Sequence, residues 1–210
     1  MELQNTRERI LQYGMDSFLK HGFKGAPLRK IVAEAGVTTG AFYGYFANKE
    51  ELFYTLTDET VSQFTALLDG VRQEMRALPP DRRLFEMCGV YIRRIPEIVD
   101  FLLANPKEIR LILTGSQGTK YEHFWESLQE CNSENIQSSA QAANAQIQPL
   151  SEDTVRLLMS GYFSMLAKLI LEETDRDKII RCMTEVAKVF EKGILALMEG
   201  KEPPSGVNQL

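Results

Sequence analysis

The sequence predicts an all-α protein of about nine helices, in which a small N-terminal head of three helices precedes a larger helical body. Apolar residues recur at intervals of three and four along nearly the whole chain, which is the period of an α-helix. Glycines and prolines separate these segments, and the alternation typical of β-strands is nearly absent. These features together predict helices joined by short turns.

The head is predicted to contain three helices. The first begins at Thr6 as its N-cap and ends before Gly22. The second begins with Pro27, which suits a first helical turn because it has no backbone N–H to leave unpaired, and it ends before Gly36. After a short turn, the third helix is predicted to begin at Thr38 or Thr39 and to fade at Ala47.

The body is predicted to be helical throughout. Asn48 and Glu51 have the spacing of a capping box, which is expected to open a long fourth helix that extends to about Arg76. The prolines at 79 and 80, the Asn105-Pro106 pair and the glycines at 115 and 118 mark the loops. Helices are predicted over residues 84–103, 121–146, 151–173 and 175–199, and a helix of a few turns is predicted between the break at Asn105-Pro106 and Gly115.

Composition is typical of a soluble globular protein, with 44% hydrophobic and 25% charged residues. No basic start followed by an apolar run indicates a secretory signal. The longest apolar stretch, residues 162–171, contains Lys168 and is shorter than the roughly 20 residues of a membrane helix. The cysteines at 88, 131 and 182 are odd in number and lack a CxxC spacing, so neither disulfides nor zinc are predicted. We expect a cytoplasmic protein that has no cofactor, no metal and no membrane partner.

Charge is distributed unevenly along the chain. The formal net charge is −5, but residues 1–49 contain seven Lys or Arg and four Asp or Glu, a net charge of +3, which leaves −8 for the remainder. This asymmetry is typical of a chain with one end that faces an anion and an acidic body.

The stretch VTTGAFYGYFANKEEL, residues 37–52, places four aromatic rings within five positions. At about 100° per residue, Phe42, Tyr45 and Phe46 share one side of a helix, and Tyr43 lies on its flank. The opposite side is occupied by Gly40, Ala41 and Gly44. A helix that buries its aromatic side can therefore bring its backbone close to another surface.

The major groove of B-DNA is a surface of this kind, since its width of about 12 Å admits an α-helix. Ala41 suits a thymine methyl group, and the hydroxyls of Thr38 and Thr39 suit bases or phosphates. Two short helices joined by a tight turn at residues 35–37 predict a helix-turn-helix with the third helix as the reader. The alternative is an ordinary helical corner without a function, because this shape is common.

The segment IVAEAGVTTGAFYGYFANKEEL, residues 31–52, resembles the signature of the TetR (tetracycline-repressor) family of transcriptional regulators, and FLKHGF, residues 18–23, is similar to the end of that family's first helix. The resemblance covers residues 6–55. It implies a helix-turn-helix DNA-binding domain over residues 1–50, linked by the fourth helix to a ligand-binding and dimerisation domain over residues 51–200, with a flexible tail at 201–210.

The resemblance also implies which residues meet DNA. Those that would contact phosphates are Tyr43, Tyr45 and Lys49, and those nearest the bases would be Thr38, Thr39, Ala41 and Gly44, next to Gly40. The chain departs from the family at Ala26-Pro27, where the second helix usually begins with Ser or Thr. Our hypothesis is that Arg29 or Lys30 replaces the phosphate contact that is lost there.

For the body, the last two helices are apolar on most sides and are predicted to be covered by a second subunit, a homodimer. The alternative is a pair of central helices in a monomer. A pocket for an apolar or aromatic effector is predicted from residues that would otherwise be core: Phe85, Tyr91, Phe101, His123, Phe124, Trp125, Tyr162, Phe163 and Met165.

The predicted function is a sequence-specific, non-enzymatic DNA-binding regulator, a repressor that a small molecule releases from an inverted-repeat operator. The alternative is a helical small-molecule binding or scaffold protein whose helix-turn-helix does not meet DNA. No catalytic constellation is predicted, and the glycines near residues 115–120 lack the spacing of a phosphate-binding loop.

Overall fold

A computed structural model describes residues 2–143 and 147–199, with side chains from residue 6 onward. Within these ranges the chain forms nine α-helices and no β-strand, which confirms the predicted fold class. The helices are α1 (Glu2–Gly25), α2 (Leu28–Glu34), α3 (Thr39–Tyr43), α4 (Lys49–Ala77), α5 (Arg83–Ala104), α6 (Pro106–Thr114), α7 (Phe124–Ala142), α8 (Glu152–Glu172) and α9 (Arg176–Met198). The predicted flexible tail, residues 201–210, lies outside the described residues.

The chain divides into two compact units. The first is Met1–Ala66 with Ala104–Trp125, and the second is Leu67–Leu103 with Glu126–Leu210. The predicted division near residue 50 concerns which residues bind DNA and which bind a ligand, so it stays a prediction.

The first unit is built around aromatic rings. Phe18, Phe42 and Phe53 are completely buried, and apolar residues of α1, α2, α3, α4 and α6 surround them. The rings of Phe18 and Phe53 meet edge to face at 5.3 Å between centroids. Burying each such side chain stabilises the fold by about 1.5–3 kcal/mol, so this core is what holds the short helices in place.

The end of α1 is attached to the end of α6. Gly22 interrupts the helical backbone with φ 67° and ψ 168°, a conformation that only glycine adopts without strain. The next residue, Phe23, donates its backbone N–H to the carbonyl of Gly115 at 2.8 Å. The predicted end of the first helix at Gly22 is thus a real break, although a last turn continues to Gly25.

The loop after α6 packs against α4. Tyr121 donates its hydroxyl to Asp58 at 2.6 Å. The ammonium of Lys120 lies 4.2 Å from the centroid of the Tyr54 ring and 4.9 Å from that of Tyr121, so both rings act as cation–π partners. These contacts explain why α6 and its loop belong to the first unit.

The second unit packs α5, α7, α8 and α9. The buried Tyr162 meets Tyr91, Phe163 and Phe190 at ring-centroid distances of 6.5, 5.8 and 5.1 Å. Arg176 binds Asp100 bidentately, with Nη2 at 2.9 Å from Oδ2, and these hydrogen bonds hold the pKa of Asp100 below its usual value. This exposed pair connects α9 to α5.

One helix among the described residues, α8, is long and apolar enough to cross a bilayer by length and composition alone. The core helices of soluble proteins meet the same criterion. The predicted absence of a membrane partner therefore stays a prediction.

Several predicted helix boundaries are wrong. The first helix begins at Glu2, so Thr6 is not its cap, and α3 ends at Tyr43 because Gly44 starts a turn. The seventh helix begins at Phe124 and ends at Ala142. Turns after residues 43 and 120 contain helix-like hydrogen bonds, which is why periodicity alone extended the helices through them.

Replacing Gly36 by Ala is expected to lower the free energy of unfolding by about 1–2 kcal/mol, because Gly36 has φ 64° and its new Cβ would also meet the Arg9 guanidinium. Gly40→Ala is the matched control: Gly40 lies in α3 with ordinary φ and open space. The control should unfold at the same or a higher urea concentration. Equal destabilisation by both changes would contradict this account of the turn.

Candidate nucleic-acid interface

The turn between α2 and α3 is fixed by its own hydrogen bonds. Gly36 N–H donates to the Ala33 carbonyl at 3.0 Å, and Val37 N–H donates to Val32 at 3.1 Å. These bonds close the end of α2, with Gly36 in the left-handed conformation that a helix C-terminus favours. The Arg9 guanidinium, from α1, donates to the Ala35 carbonyl. The angle between α2 and α3 is therefore set by the chain around residues 33–37.

The short helix α3 has one buried side and one exposed side. Phe42 and Phe46 are buried, and their ring centroids are 5.7 Å apart. Residues 38–41 and 44 are exposed. A Cβ added to Gly40 would meet no atom closer than 3.9 Å, so the exposed side is unobstructed. We name this exposed surface, residues 38–41, 43 and 44, the ridge.

Thr38 caps α3, because its hydroxyl oxygen accepts the backbone N–H of Ala41 at 3.1 Å. Its hydroxyl proton stays available for a bond to another molecule. Thr38 therefore fixes the start of the ridge.

The two tyrosines border the ridge differently. The side chain of Tyr43 is 54% exposed, and its ring packs edge to face against Phe42 at 5.4 Å between centroids. Tyr45 is half-buried and packs against the core of the first unit. Both rings are anchored by apolar contacts. Their roles at phosphates stay predictions.

Arg29 and Lys30 lie exposed in the first turns of α2. Pro27 precedes this helix as its N-cap, and no side chain caps it. Lys30 faces Glu34 at 3.8 Å, an exposed pair of small energetic value. Both cations are exposed near the start of α2, and their contact with phosphate stays a prediction.

Lys49 has a structural role that the sequence did not reveal. Its ammonium donates to the carbonyls of Phe23 at 2.7 Å and Ala26 at 3.0 Å, and it lies 4.6 Å from the centroid of the Phe23 ring. Partial burial lowers the pKa of Lys49 from its ordinary value. The residue connects the first turn of α4 to the last turn of α1 and to Ala26, which follows that helix. Whether it also contacts phosphate stays a prediction.

The start of α4 carries the predicted capping residues. Asn48 accepts the N–H of Glu51 at 2.8 Å, as expected. The Glu51 carboxylate accepts the N–H of Ala47, one residue before the cap. These two hydrogen bonds therefore fix the turn between the ridge and α4.

The residues predicted to line an effector pocket are divided between the two units. His123, Phe124 and Trp125 belong to the first unit, and Phe85, Tyr91, Phe101, Tyr162, Phe163 and Met165 belong to the second. Tyr91, Tyr162 and Phe163 pack together, whereas Phe85 and Met165 are 40% and 44% exposed. Burial raises the pKa of Tyr91 to about 12, so its phenol stays protonated. Their role in binding a ligand stays a prediction.

Sequence reasoning missed a cavity of about 300 Å³ in the second unit, between α4, α5 and α7. Its lining consists of two methionines and six polar or charged residues: Met75, Arg76, Arg83, Met87, Glu134, Asn135, Ser138 and Ser139. No apolar pattern marks this set in the sequence. Among the described residues, no three His, Cys, Asp or Glu side chains are grouped as a metal site would need.

Comparison with known proteins finds similarity mainly in the N-terminal part of the chain. Residues 10–55 match the family model described as bacterial regulatory proteins, tetR family. The chain is 28% identical to the HTH-type transcriptional repressor AcnR of Corynebacterium glutamicum over 88 residues, 41% of this chain and 47% of that protein. It is 24% identical to the uncharacterized HTH-type transcriptional regulator YerO of Bacillus subtilis over 101 residues, 48% of this chain and 35% of that protein. The matches thus span less than half the length of these relatives.

Solved structures share the fold across the chain. The structure of a protein from Syntrophomonas wolfei that is described as a TetR-family transcriptional regulator matches with a TM-score of 0.55 and 17% identity, over 92% of this chain and 98% of that protein. A TetR-like regulator from Rhodococcus sp. RHA1 has a TM-score of 0.57 and 16% identity, with 90% and 96% covered. At this identity the similarity shows the fold alone.

Replacing Lys49 by Met is expected to lower the free energy of unfolding by about 2 kcal/mol, because two carbonyls lose a charged donor. Lys30→Met is the matched control, since it removes only a long, exposed ion pair worth less than about 0.5 kcal/mol. Chemical denaturation of both variants measures the difference. Equal stability of the two variants would contradict the structural role of Lys49.

Proposed function

We propose that this chain, a member of the TetR family of bacterial regulatory proteins, is a cytoplasmic, dimeric repressor that a small-molecule ligand releases from an inverted-repeat operator. The observation that carries the proposal is the ridge. Phe42 and Phe46 are buried and hold α3 in place, and the opposite side of this helix is exposed and carries only small side chains.

The ridge suits a major groove because of its small side chains. Gly40, Ala41 and Gly44 allow the backbone of α3 to approach base edges closely. The Ala41 methyl group can pack against a thymine methyl, and Thr39 can bond a base or a phosphate. Specificity would come from these contacts.

Affinity would come mainly from phosphates on either side of the groove. Tyr43 and Tyr45 border the ridge, and Arg29 and Lys30 are exposed on α2. Each cation that neutralises a phosphate releases a counterion, so binding should weaken steeply as salt rises. Lys49 would join this set only by exchanging or sharing its carbonyl partners.

Dimerisation is supported by matching exposed stripes on α8 and α9. On α8, Leu157 is 75% exposed and is followed by Gly161 and then Met165, each four residues on. On α9, the 69% exposed Val189 is followed by Gly193 and Leu197 at the same spacing. Water-exposed leucine and valine in such continuous stripes are typical of a surface that another subunit covers.

A two-fold dimer would present two ridges to successive major grooves, on the order of 34 Å apart. The operator is then an inverted repeat, because the two copies read it in opposite directions. A ligand releases the protein only if it binds a conformation with the wrong ridge spacing more tightly than the DNA-bound one. The predicted effector is a small apolar or aromatic molecule bound by the domain over residues 51–200.

Selection of bound sites from random duplexes tests the proposal directly. We expect enriched sequences with inverted-repeat symmetry, and a competable complex in gel shifts on the chain's own upstream region. If no enriched sequence and no competable complex at low salt emerged, the chain would be a helical binding or scaffold protein whose helix-turn-helix does not meet DNA.

The variant Ala41→Glu should bind selected DNA more than about 100-fold more weakly, because a carboxylate on the ridge would face the DNA's negative charge. Ala66→Glu is its control, since Ala66 is also exposed and lies on α4. Fluorescence anisotropy measures both affinities, and thermal unfolding verifies that both variants fold. Similar loss in both variants would count against α3 as the reading helix.

The variant Val189→Glu should sediment as a monomer, because two copies of a charged side chain would be buried at the stripe. Arg181→Glu places the same residue at an exposed polar position of α9 and should remain dimeric. Analytical ultracentrifugation distinguishes the two species. Dimers of both variants would show that α9 is not at the subunit interface.

A further inference from the structure

The cavity between α4, α5 and α7 has a fixed cation in its wall. The guanidinium of Arg83 donates from Nη2 to the carbonyls of Arg76 at 2.9 Å and Leu78 at 3.2 Å. These two bonds cap the end of α4 and hold the planar group in one orientation. A guanidinium that is held before a ligand arrives loses little freedom when one binds.

The same guanidinium is incompletely paired. Its Nε is buried and has no hydrogen-bond partner among the described residues. Both partners of Nη2 are neutral carbonyls, and no described carboxylate forms an ion pair with Arg83. A half-buried cation with only neutral partners favours an anion beside it.

A second orphan lies in the same wall. The Ser139 hydroxyl is buried and has no hydrogen-bond partner among the described residues. Buried polar atoms are nearly always bonded, so two unpaired polar atoms in side chains that line one cavity favour a polar group beside them. The amide of Asn135 adds a further donor, since its only described contact is a weak one of 3.9 Å to the sulfur of Cys131.

The remaining lining residues set the chemistry of that occupant. Arg76 and Arg83 against Glu134 give the cavity a net charge of +1. Met75 and Met87 supply adaptable apolar walls that accept irregular shapes. The volume of about 300 Å³ is at the lower end of the range for ligand sites.

We propose that this cavity binds a small organic anion, with its charged group received by Arg83 and Asn135 and its apolar part against Met75 and Met87. This inference rests on the proposed function, since the anion would be the effector that controls DNA binding. The competing occupant is water alone, which would satisfy the same donors without selecting for charge.

Isothermal titration calorimetry of the full chain without DNA tests the inference. The probes are hexanoate, benzoate and phenyl phosphate, with hexanamide, benzamide and benzylamine as neutral or cationic controls of similar shape. We expect at least one anion to bind and its matched amide to bind at least about tenfold more weakly, because a hydrogen bond to a charged group is lost.

Substitutions at two exposed residues are expected to change the affinity for the anion in opposite directions. Arg76→Gln should weaken the bound anion several-fold, whereas Glu134→Gln should tighten it several-fold, because each changes the local charge without disturbing a core residue. Arg83→Lys keeps the charge but loses the planar fork, and it should weaken the anion about tenfold. Thermal unfolding of Arg83→Lys shows whether the cap of α4 survives.

Three results would overturn the inference: equal affinity for anions and their amides, no response to Arg76→Gln and Glu134→Gln, or no binding of any probe. A gel shift with the selected operator is run separately. If the chain binds the operator but none of the anions, the DNA-binding proposal stands and the proposal of an anionic ligand is rejected. If the chain binds an anion but not the operator, the DNA-binding proposal is rejected and the anion site at Arg83 stands.

Discussion

The structure of the head depends on the burial of Phe42 and Phe46. A helix of five residues cannot persist in water alone, because so few hydrogen bonds do not offset the entropy lost in forming the first turn. The two rings therefore determine where α3 lies and which side it exposes. The glycines and alanine of the ridge lie on the opposite, exposed face of the same helix.

Lys49 extends this constraint beyond α3. Its bonds to Phe23 and Ala26 join the start of α4 to the end of α1 and the residue after it, and the Phe23 ring lies 4.6 Å from the ammonium. A lysine in this position contributes as a connector within the protein. The resemblance predicts that the same ammonium contacts a DNA phosphate. The structure adds that Lys49 stabilises the fold itself, which the sequence pattern alone does not indicate.

The head was predictable from sequence because local signals determine it. The turn glycine, the aromatic spacing and the Asn48 cap each require a particular residue at one position, and all three are found where the pattern places them. Helix ends were less predictable, since the turns after Tyr43 and before Phe124 keep helix-like bonds. The cavity around Arg83 was not predictable, because its wall combines residues from three helices whose register only packing decides. The sequence does not distinguish an arginine that caps a helix from one whose side chain is solvated.

The hydrogen bond from Phe23 to Gly115 offers a single-residue reporter. The amide proton of Phe23 has its partner on the far end of another helix, so its exchange with solvent deuterium measures how often that attachment opens. Slow exchange would mean that the end of α1 and the end of α6 move as one body on the timescale of the measurement. If an added compound changes the exchange rate of this amide, the attachment between α1 and α6 has become looser or tighter. The measurement does not require the compound's binding site to be known.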